Sequence, residues 1–344
     1  MKKYLLPKKE DVSFYKANLH CHSNISDGTK TPLELKELYK SHGYSILAYT
    51  DHDCFIPHNE LTDENFLALS GFELQYNENG VYPSNKDIQS THFCFIAKSK
   101  DIVMHPDWNE KCAYIGNSAE YKALVKFDKK KVSVERNRSA QCIRESIKKA
   151  KAAGFFVTYN HPTWSLDKYT DYIQYEGFDA MEIFNNDCHT LGYNSYEPGV
   201  YDDFLRAGQR IYAVAADDNH NKFPETDPRF DSFGGFTMIA APNLNYESVI
   251  NALVSGDFYA SQGPEIYEIY IEDETLYVKC SNAVMVTLST NRRSSQTVLA
   301  NKEEFINSAV FRVDKDDEYI RITVQDAVGK HANSRAYFRD EYIK

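Results

Sequence analysis

The sequence predicts an α/β protein followed by a small antiparallel β domain, and two observations carry this prediction. From residue 17 to about residue 241, short apolar runs alternate with amphipathic helical segments. After about residue 266, apolar and polar residues alternate between turn-forming residues. The first pattern is typical of a mostly parallel sheet with helices outside, and the second of an antiparallel β domain.

The elements of the first region have their own start and stop signals. TPLELKELYKSHG carries Thr31 as N-cap, Pro32 at the first helical position and Gly43 as the stop, and the buried strand YSILAYTDHD follows. SAQCIRESIKKAKAAG with FFVTYNHP, and YDDFLRAG with RIYAVAADDNH, repeat this order, with the apolar strand FDAMEIFNND between them. Each strand ends in His, Asp or Asn, and reactive groups lie at the carboxyl ends of strands in such folds.

Two regions depart from this pattern. Residues 104–138 are irregular and charge-rich, which predicts an insertion between barrel units. We assign residues 1–265 to the barrel and residues 266–344 to an accessory β domain, with Gly256 and Gly263 allowing the chain to change direction near the junction. The β domain carries no recognisable chemistry, so packing against the barrel is its simplest role.

The composition narrows the classes of partner. The 344 residues include 42% hydrophobic residues, enough for a sizeable core, and the formal net charge is −11. This acidity argues against long nucleic acid but not against a small phosphorylated substrate, because bound cations reverse the local charge. The seven cysteines, without CxxC pairs, indicate free thiols in a reducing compartment. No signal peptide or membrane-length apolar run is found, so we expect a cytoplasmic protein without a membrane partner.

The stretch NLHCHSNISDG places His20 and His22 two residues apart, with Asp27 five residues later. In an extended segment both imidazoles lie on one face and can bind one metal ion, although such a pair alone is weak evidence. Matching groups recur along the chain: His52 in TDHD, Glu73 in SGFELQ, His92 in STHFCFIA, His161 in VTYNHPT, and Asp218 and His220 in AADDNH. Buried imidazoles and carboxylates need partners, and divalent cations satisfy several at once, so the set predicts a metal cluster.

Over residues 17–241 the chain resembles the polymerase and histidinol phosphatase (PHP) family of metal-dependent phosphoesterases. The resemblance lies in the combination and order of its motifs: H-x-H-S-x-x-S-D-G, T-D-H-D, G-x-E, a later His, N-H-P and D-x-H. The resemblance implies a distorted seven-stranded β/α barrel with two or three divalent ions at the carboxyl ends of its strands. It also implies three ligand sets: His20, His22, Glu73 and Asp218 for the first ion; a bridging Glu73 with His92 and His161 for the second; and Asp27, His52 and His220 for the third.

Such mixed imidazole and carboxylate ligands suit Zn²⁺, Mn²⁺ or Fe²⁺, and the sequence does not identify which of these metals binds. A water molecule bridging two ions would lose a proton near neutral pH, and the resulting hydroxide would attack phosphorus in line while the ions neutralise the phosphoryl oxygens. The leaving oxygen needs a proton from a neighbouring acid, for which His220 and Asp51 are candidates. Asp51 has the alternative role of orienting a histidine.

Two ligand positions have a competitor nearby. His105, in MHPDW, could replace His92, although His92 follows the Glu73 element directly in a strand-like setting. Asp217 could replace Asp218, but the two-residue spacing to His220 favours Asp218, because adjacent strand positions face opposite ways.

Substrate-binding residues are less well defined. Arg136 and Arg138, in SVERNRSA, precede a predicted helix and are candidates for bidentate phosphate contacts, with a solvated charge cluster as the simpler explanation. His189 and Asn185, in IFNNDCH, follow a strand and could line the pocket, although ordinary loop polarity explains them equally well.

The sequence thus predicts a metal-dependent phosphoric ester hydrolase, a phosphatase or phosphodiesterase, acting on a small metabolite such as a nucleotide. Within the resembled family, a histidinol-phosphate phosphatase or a nuclease-type protein is the alternative; the β domain speaks against the former and the acidic charge against the latter. The alternative from a different class is a non-catalytic metal-binding scaffold. A dimer contact on the β domain, and with it a homo-oligomer, is left open.

Overall fold

A computed structural model describes residues 2–82, 88–130 and 135–343. Its strands are β1 (Lys3–Tyr4), β2 (Ser13–Asn18), β3 (Ile46–Tyr49), β4 (Leu67–Asn77), β5 (Ser90–Ala97), β6 (Phe155–Tyr159), β7 (Ala180–Asn185), β8 (Tyr212–Ala216), β9 (Phe236–Ala241), β10 (Phe258–Ser261), β11 (Ile266–Glu272), β12 (Thr275–Ala283), β13 (Met285–Thr290), β14 (Gln296–Leu299), β15 (Ile306–Arg312), β16 (Tyr319–Gln325), β17 (His331–Ser334) and β18 (Tyr337–Phe338).

The helices are α1 (Pro32–Ser41), α2 (Ser118–Tyr121), α3 (Ala140–Ala152), α4 (Tyr169–Tyr172), α5 (Asn186–Thr190), α6 (Pro198–Arg206), α7 (Tyr246–Ser255) and α8 (Arg339–Tyr342). Helix α1 begins as predicted, because Thr31 caps it in a reciprocal pair with Glu34 and Pro32 is its first residue. No helix in the described part of the chain is long and apolar enough to cross a membrane.

The fold is a mixed α/β architecture with one large sheet and one separate antiparallel sheet. The large sheet has the order β14-β13-β16-β17-β10-β9-β2-β3-β4-β5-β6-β7-β8, with β18 beside β16. Strands β2, β3 and β4 run parallel to one another, as do β6, β7 and β8. Strands β3 to β7 are buried along their whole length, as expected for strands covered on both faces.

The sheet is parallel in part, as predicted, but β5 runs antiparallel to both β4 and β6, and β9 runs antiparallel to β2. The first residues of β5 therefore lie at the edge where its two neighbours end. This reversal matters for the site, because it brings a residue from the start of a strand to the same edge as residues from strand ends.

The two ends of the barrel region meet through a side chain. Strands β8 and β9 lie next to each other. The Thr237 hydroxyl accepts a hydrogen bond from the Ala215 amide at 3.1 Å and donates one to the Ala215 carbonyl at 3.0 Å. Strands β2 to β9 make up this part of the sheet, and a closed seven-stranded barrel stays a prediction.

The C-terminal strands are antiparallel, as predicted, but they belong to two sheets. Strands β11, β12 and β15 form a four-stranded sheet with β1 from the beginning of the chain, whereas β17 pairs with β10 and so extends the large sheet. Arg321 forms an ion pair with Asp202 on α6, at 2.8 Å. The boundary between residues 265 and 266 stays a prediction, but backbone pairing crosses it in two places.

The described part of the predicted insertion packs against the loop that follows β2. The Asn117 amide donates to the Ser26 carbonyl at 2.8 Å. Gly116 has a φ of 52°, and a Cβ atom there would lie 2.1 Å from the Ser26 carbonyl oxygen. Only glycine permits this approach without a shift of the backbone. The insertion thus supports the loop that carries His22 and Asp27.

Candidate metal centre

The nine side chains predicted as metal ligands lie together at one edge of the large sheet. Glu73, on β4, is central to them. Its Oε1 lies 3.3 Å from His20 Nε2, 3.2 Å from His92 Nδ1 and 3.5 Å from His161 Nε2. Its Oε2 lies 3.0 Å from His52 Nδ1. Seven of the nine residues are buried, and Asp27 and His220 are partly exposed.

The fold explains this convergence. Residues 20–22 follow β2, residue 52 follows β3, residue 161 follows β6, and residues 218–220 follow β8, so most of the set comes from the carboxyl ends of parallel strands. His92 is near the start of the reversed strand β5 and reaches the same edge from the opposite direction. His161 and Asp218 adopt left-handed backbone with φ of 26° and 56°. Such backbone is costly for non-glycine residues and is concentrated at functional sites.

Among the nine predicted ligands, three overlapping groups have ligand atoms within 4.8 Å of one another: His20, His22 and Glu73; His52, Glu73 and His92; and His22, Asp27, His52 and His220. A fourth group joins His220 to Asp187 and Asp231, which the sequence analysis did not select. Asp218 joins the first group, because its Oδ1 lies 3.0 Å from the Nε2 atoms of both His20 and His22. The grouping follows the three implied sets with two differences: His22 and His52 each belong to two groups, and His161 is not in the group of Glu73 and His92. The assignment of individual ligands stays a prediction.

The donor set fits divalent cations. Imidazole nitrogens and carboxylate oxygens are the ligands that such ions take. Here these atoms face one another, and there are too few N–H and O–H groups among them for each close pair to form a hydrogen bond. Nε2 of His20 lies 3.1 Å from Nε2 of His22. Within the described residues, the buried atoms His52 Nδ1 and Asp27 Oδ1 have no partner in hydrogen-bonding geometry, although His52 Nδ1 lies 3.0 Å from Glu73 Oε2. A cation among these atoms would satisfy them together.

Protons compensate the charge of the cluster in part. Burial lowers the pKa of His161 and His220, but Glu73 and Asp218 raise that of His161 to about 9, and Asp27 raises that of His220 to about 10. At His52 burial dominates and lowers the pKa to about 3. Burial alone would raise the pKa of Glu73, but His92 and His20 hold it well below its usual range. Cations entering the cluster must therefore displace protons from imidazoles.

Glu182, on β7, is a buried site residue that the sequence analysis missed. Its Oε1 lies 2.7 Å from His20 Nδ1, and its Oε2 accepts hydrogen bonds from the His161 amide at 3.0 Å and from Asn185 Nδ2 at 2.8 Å. Asn185 also donates to Asp218 Oδ2 at 3.1 Å, so it orients the centre rather than lining the pocket. The sequence did contain a signal for this residue, because a glutamate inside the apolar run AMEIF is a charged residue in a strand that is expected to be buried.

Asp51 is not positioned to protonate a leaving group. Its carboxylate is buried and accepts four hydrogen bonds, from the amides and hydroxyls of Ser23 and Ser26 at 2.7–3.1 Å. It therefore holds the loop that carries His22 and Asp27. Its effect on a histidine is indirect, because the Ser26 hydroxyl lies 3.3 Å from His22 Nδ1.

The two competitors lie outside the cluster. Asp217 faces away, and its carboxylate accepts hydrogen bonds from the amides of residues 233–235 and from the Tyr39 hydroxyl. His105 packs on Phe72, with ring centroids 4.3 Å apart, and its Nδ1 accepts from the Asp107 amide. The geometry favours Asp218 and His92, as expected from spacing and order.

The three residues predicted to bind substrate lie elsewhere. Arg136 is buried and forms an ion pair with Asp53. Arg138 forms ion pairs with Asp167 and, at 2.9 Å, with Asp171. Both guanidiniums are thus engaged by protein carboxylates, and neither they nor the exposed His189 line the cavity over the centre. The predicted solvated charge cluster is also wrong for Arg136, because its partner Asp53 is inside the protein.

A cavity of about 370 Å³ opens over the centre. The predicted ligands Asp27, His52, Glu73, His92, His161, Asp218 and His220 form its floor. Its wall includes residues that the sequence analysis did not select, among them Trp164, Asp187, Lys222, Phe223 and Arg229. The Trp164 ring lies 4.9 Å from the rings of both His92 and His161, and so covers them on the cavity side.

No family model and no curated protein matches the chain. Among solved structures, it is similar to a two-domain protein from Bacteroides vulgatus containing a predicted PHP-like metal-dependent phosphoesterase, at 15% identity over 98% of this chain and 97% of that one, with a TM-score of 0.45.

Two further similar structures cover less of the chain. One is described as a metal-dependent phosphoesterase from Bifidobacterium adolescentis, at 17% identity over 61% of this chain and 90% of that one, with a TM-score of 0.37. The other is an amidohydrolase from Chromobacterium violaceum with bound sulfate and no metal, at 16% identity over 59% and 87%, with a TM-score of 0.39. The solved structures similar to this chain thus include PHP-like metal-dependent phosphoesterases.

Proposed function

We propose that this chain is a metal-dependent hydrolase that cleaves a phosphate ester in a small phosphorylated metabolite such as a nucleotide. One observation carries the proposal: nine imidazole and carboxylate side chains, distant in sequence, meet beneath one cavity. Structural packing does not require so many titratable groups in one buried place, and their desolvation is costly without cations.

Two or three divalent ions, Zn²⁺, Mn²⁺ or Fe²⁺, would be held by His20, His22, Asp27, His52, Glu73, His92, His161, Asp218 and His220. When bound, such ions acidify water, neutralise charge on phosphoryl oxygens and stabilise a leaving oxygen. Glu73 is suited to serve two groups, because its two oxygens face different histidines. Glu182 orients His20 by accepting from its Nδ1.

The residues around the cluster support hydrolysis in a confined space. Trp164 restricts water at His92 and His161. Asp51 is engaged by the loop, and His220, whose Nε2 lies 3.3 Å from Asp27 Oδ2, could give a proton to the leaving oxygen only while it is not a metal ligand. With His220 bound to an ion, water acidified by that ion would supply the proton. A cavity of about 370 Å³ suits a metabolite rather than a long polymer. The free cysteines and the net charge of −11 favour a cytoplasmic protein without long nucleic acid as partner.

The test is metal analysis of the purified chain combined with a phosphate-release screen in the presence of Zn²⁺, Mn²⁺ or Fe²⁺. The panel contains nucleotides, sugar phosphates, amino-alcohol phosphates including histidinol phosphate, phosphodiesters and single-stranded oligonucleotides. We expect two or three bound ions per chain and turnover of a small ester. Stoichiometric metal without hydrolysis of any ester would favour the scaffold alternative, and oligonucleotide cleavage would favour the nuclease alternative.

A further inference from the structure

Lys222 is the one lysine that the described part of the chain contributes to the cavity wall. Its side chain is 52% exposed, and its Nζ lies 3.7 Å from Asp27 Oδ2, beyond hydrogen-bonding distance. No hydrogen bond joins the ammonium group to another described residue. Its three N–H donors are therefore available to a molecule in the cavity.

The second cation of the wall is differently engaged. Arg229 donates to Asp227 through Nε at 2.9 Å and through Nη2 at 2.7 Å, and its guanidinium lies 3.8 Å from the centroid of the Phe223 ring. This bidentate pair and the ring hold Arg229 in place and neutralise its charge locally. Of the two cations, only Lys222 makes no hydrogen bond to a carboxylate among the described residues.

The backbone that carries Lys222 is held in an unusual conformation. Asn221 has a left-handed φ of 55°, and its carbonyl accepts a hydrogen bond from the Thr29 hydroxyl at 2.6 Å. The buried carboxylate of Asp231 accepts from the amides of His220 at 2.7 Å and of Asn221 at 3.0 Å. These contacts fix the turn immediately after His220, so that the root of Lys222 is rigid although its ammonium group is exposed.

The chemistry of the cluster suggests what this ammonium group meets. Asp27 belongs to the group with His22, His52 and His220, and a cation there would take up its negative charge. Asp187 and Asp231 also line the cavity, but the carboxylate of Asp231 is engaged by backbone amides, and no hydrogen bond or ion pair joins Lys222 to either carboxylate among the described residues. A dianionic phosphoryl group over the centre supplies a partner for the ammonium group, and a lysine ammonium is a point charge suited to phosphate oxygens.

We propose that Lys222 binds a non-bridging oxygen of the phosphoryl group of the substrate, an inference that rests on the proposed function. It assigns to Lys222 the task that the sequence analysis gave to Arg136 and Arg138. Lys222 is a binding residue in this assignment, and no bond to it is made or broken.

The test uses the full chain loaded with Mn²⁺ and inorganic phosphate as the probe. Calorimetric titration gives the Kd of phosphate for the unmodified protein, Lys222→Met, Lys222→Arg and Arg229→Met. We expect Lys222→Met to weaken phosphate binding about tenfold or more, because a charge-assisted hydrogen bond is lost. Lys222→Arg should recover most of the loss, and Arg229→Met, which removes the same charge from the same wall, should change the Kd less than threefold.

Metal content separates this role from an indirect one. The inference requires equal Mn²⁺ stoichiometry in Lys222→Met and the unmodified protein, since loss of an ion would show that Lys222 acts through Asp27. A Kd within threefold of the unmodified value in Lys222→Met would overturn it, and so would an absence of phosphate binding to the fully loaded protein. If phosphate binds through Lys222 but no ester in the screen is hydrolysed, the proposed function fails, and Lys222 keeps only the assignment as a residue that binds a phosphate group.

Discussion

Oε1 of Glu182 lies 2.7 Å from Nδ1 of His20, and the same carboxylate accepts the backbone amide of His161. The contact leaves His20 Nε2 directed at Glu73 and Asp218. A buried strand residue thus determines which nitrogen of a predicted ligand faces the centre, because a histidine that donates from one nitrogen offers the other to a metal. The affinity for metal should depend on this contact.

Glu182→Gln removes the charge of this carboxylate but keeps its shape. We expect the affinity for Mn²⁺ to fall about 10- to 100-fold, the range found when such orienting groups are lost. Competition with a chelator of known affinity measures the change. Glu197→Gln is the matched control, because Glu197 is also buried and accepts the Thr163 amide at 2.9 Å, but forms no hydrogen bond or ion pair with a predicted ligand in the described part of the chain. Equal losses in the two variants would contradict an orienting role for Glu182.

His20→Ala and Asp218→Ala each remove a predicted ligand. We expect turnover of the preferred ester to fall about 100-fold or more, since charge stabilisation by metal ions contributes several kcal/mol. Circular dichroism should show that both variants remain folded, because each change makes a small gap beneath an open cavity. Unchanged turnover in both purified variants would rule out the proposed mechanism.

Metal binding should release protons at neutral pH. His161 and His220, with pKa values raised to about 9 and about 10, carry protons at pH 7 in the metal-free protein, whereas ligation needs neutral imidazoles. We expect about two protons to be released per cluster filled, measured from the dependence of the calorimetric binding enthalpy on the buffer. Affinity should rise with pH and level off above pH 10. Binding without proton release would contradict this arrangement.

The same raised pKa values stabilise the metal-free fold at low pH. Their contribution is fully present below the unfolded-state pKa of about 6.5 and is lost as the pH rises through 9 to 10. The contribution of these two histidines to the free energy of unfolding of the metal-free protein should therefore decrease as the pH rises from 6.5 to 10. Binding of metal displaces the two protons and so removes this pH-dependent contribution. The metal-loaded protein is therefore the control.

His105 should make the protein sensitive to acid. Burial holds the pKa of His105 well below its usual range, and Arg136 lowers it further. The unfolded chain takes up a proton below pH 6.5 that the folded chain does not, so this stability is present above pH 6.5 and is lost as the pH falls. Between pH 6 and pH 5, we expect the unmodified protein to lose stability relative to His105→Gln by about 1.4 kcal/mol per pH unit.

Denaturant unfolding of the two proteins at each pH measures this difference. Between pH 7.5 and pH 9 the difference should be constant, which serves as the internal control. A difference that does not change below pH 6.5 would show that His105 is protonated in the folded protein.

The C-terminal strands should be required for the barrel to fold. Removal of residues 266–344 exposes the edge of β10, leaves β1 without β11, and deprives Tyr201 of the Ala336 amide that donates to its hydroxyl at 3.0 Å. We expect a fragment of residues 1–265 to be aggregated, or to lack a cooperative thermal transition. A monomeric, metal-binding fragment with cooperative unfolding would show instead that the β domain is dispensable.

Much of the fold and most of the candidate site follow from local features of the sequence. The capping of α1 by Thr31 depends on neighbours three residues away and was predictable. The His, Asp and Asn residues that follow β2, β3, β6 and β8 indicated which edge of the sheet carries the predicted metal ligands. The reversal of β5 was not predictable in this way, because apolar residues in a buried strand have no periodicity that reveals strand direction.

The structure places the predicted substrate-binding arginines away from the cavity for a reason of the same kind. Arg136 and Arg138 carry the charge that a phosphate contact needs, but buried carboxylates far along the chain, Asp53 and Asp167, engage them. Lys222 lies two residues after His220, and nothing in the local sequence separates it from other surface lysines. Its exposure to the cavity depends on Asn221, Asp231 and Thr29, which meet only in the folded chain.

By itself, the sequence determined that this is an α/β protein with an antiparallel C-terminal region, and which nine residues can form a metal cluster, because start signals and ligand types are properties of short segments. Only the tertiary structure decided that β5 is reversed, that Glu182 orients His20, and that Lys222 rather than Arg136 lies at the cavity. Each of these depends on which strands or polar groups pair across long stretches of chain, and burial makes the pairing of polar groups obligatory.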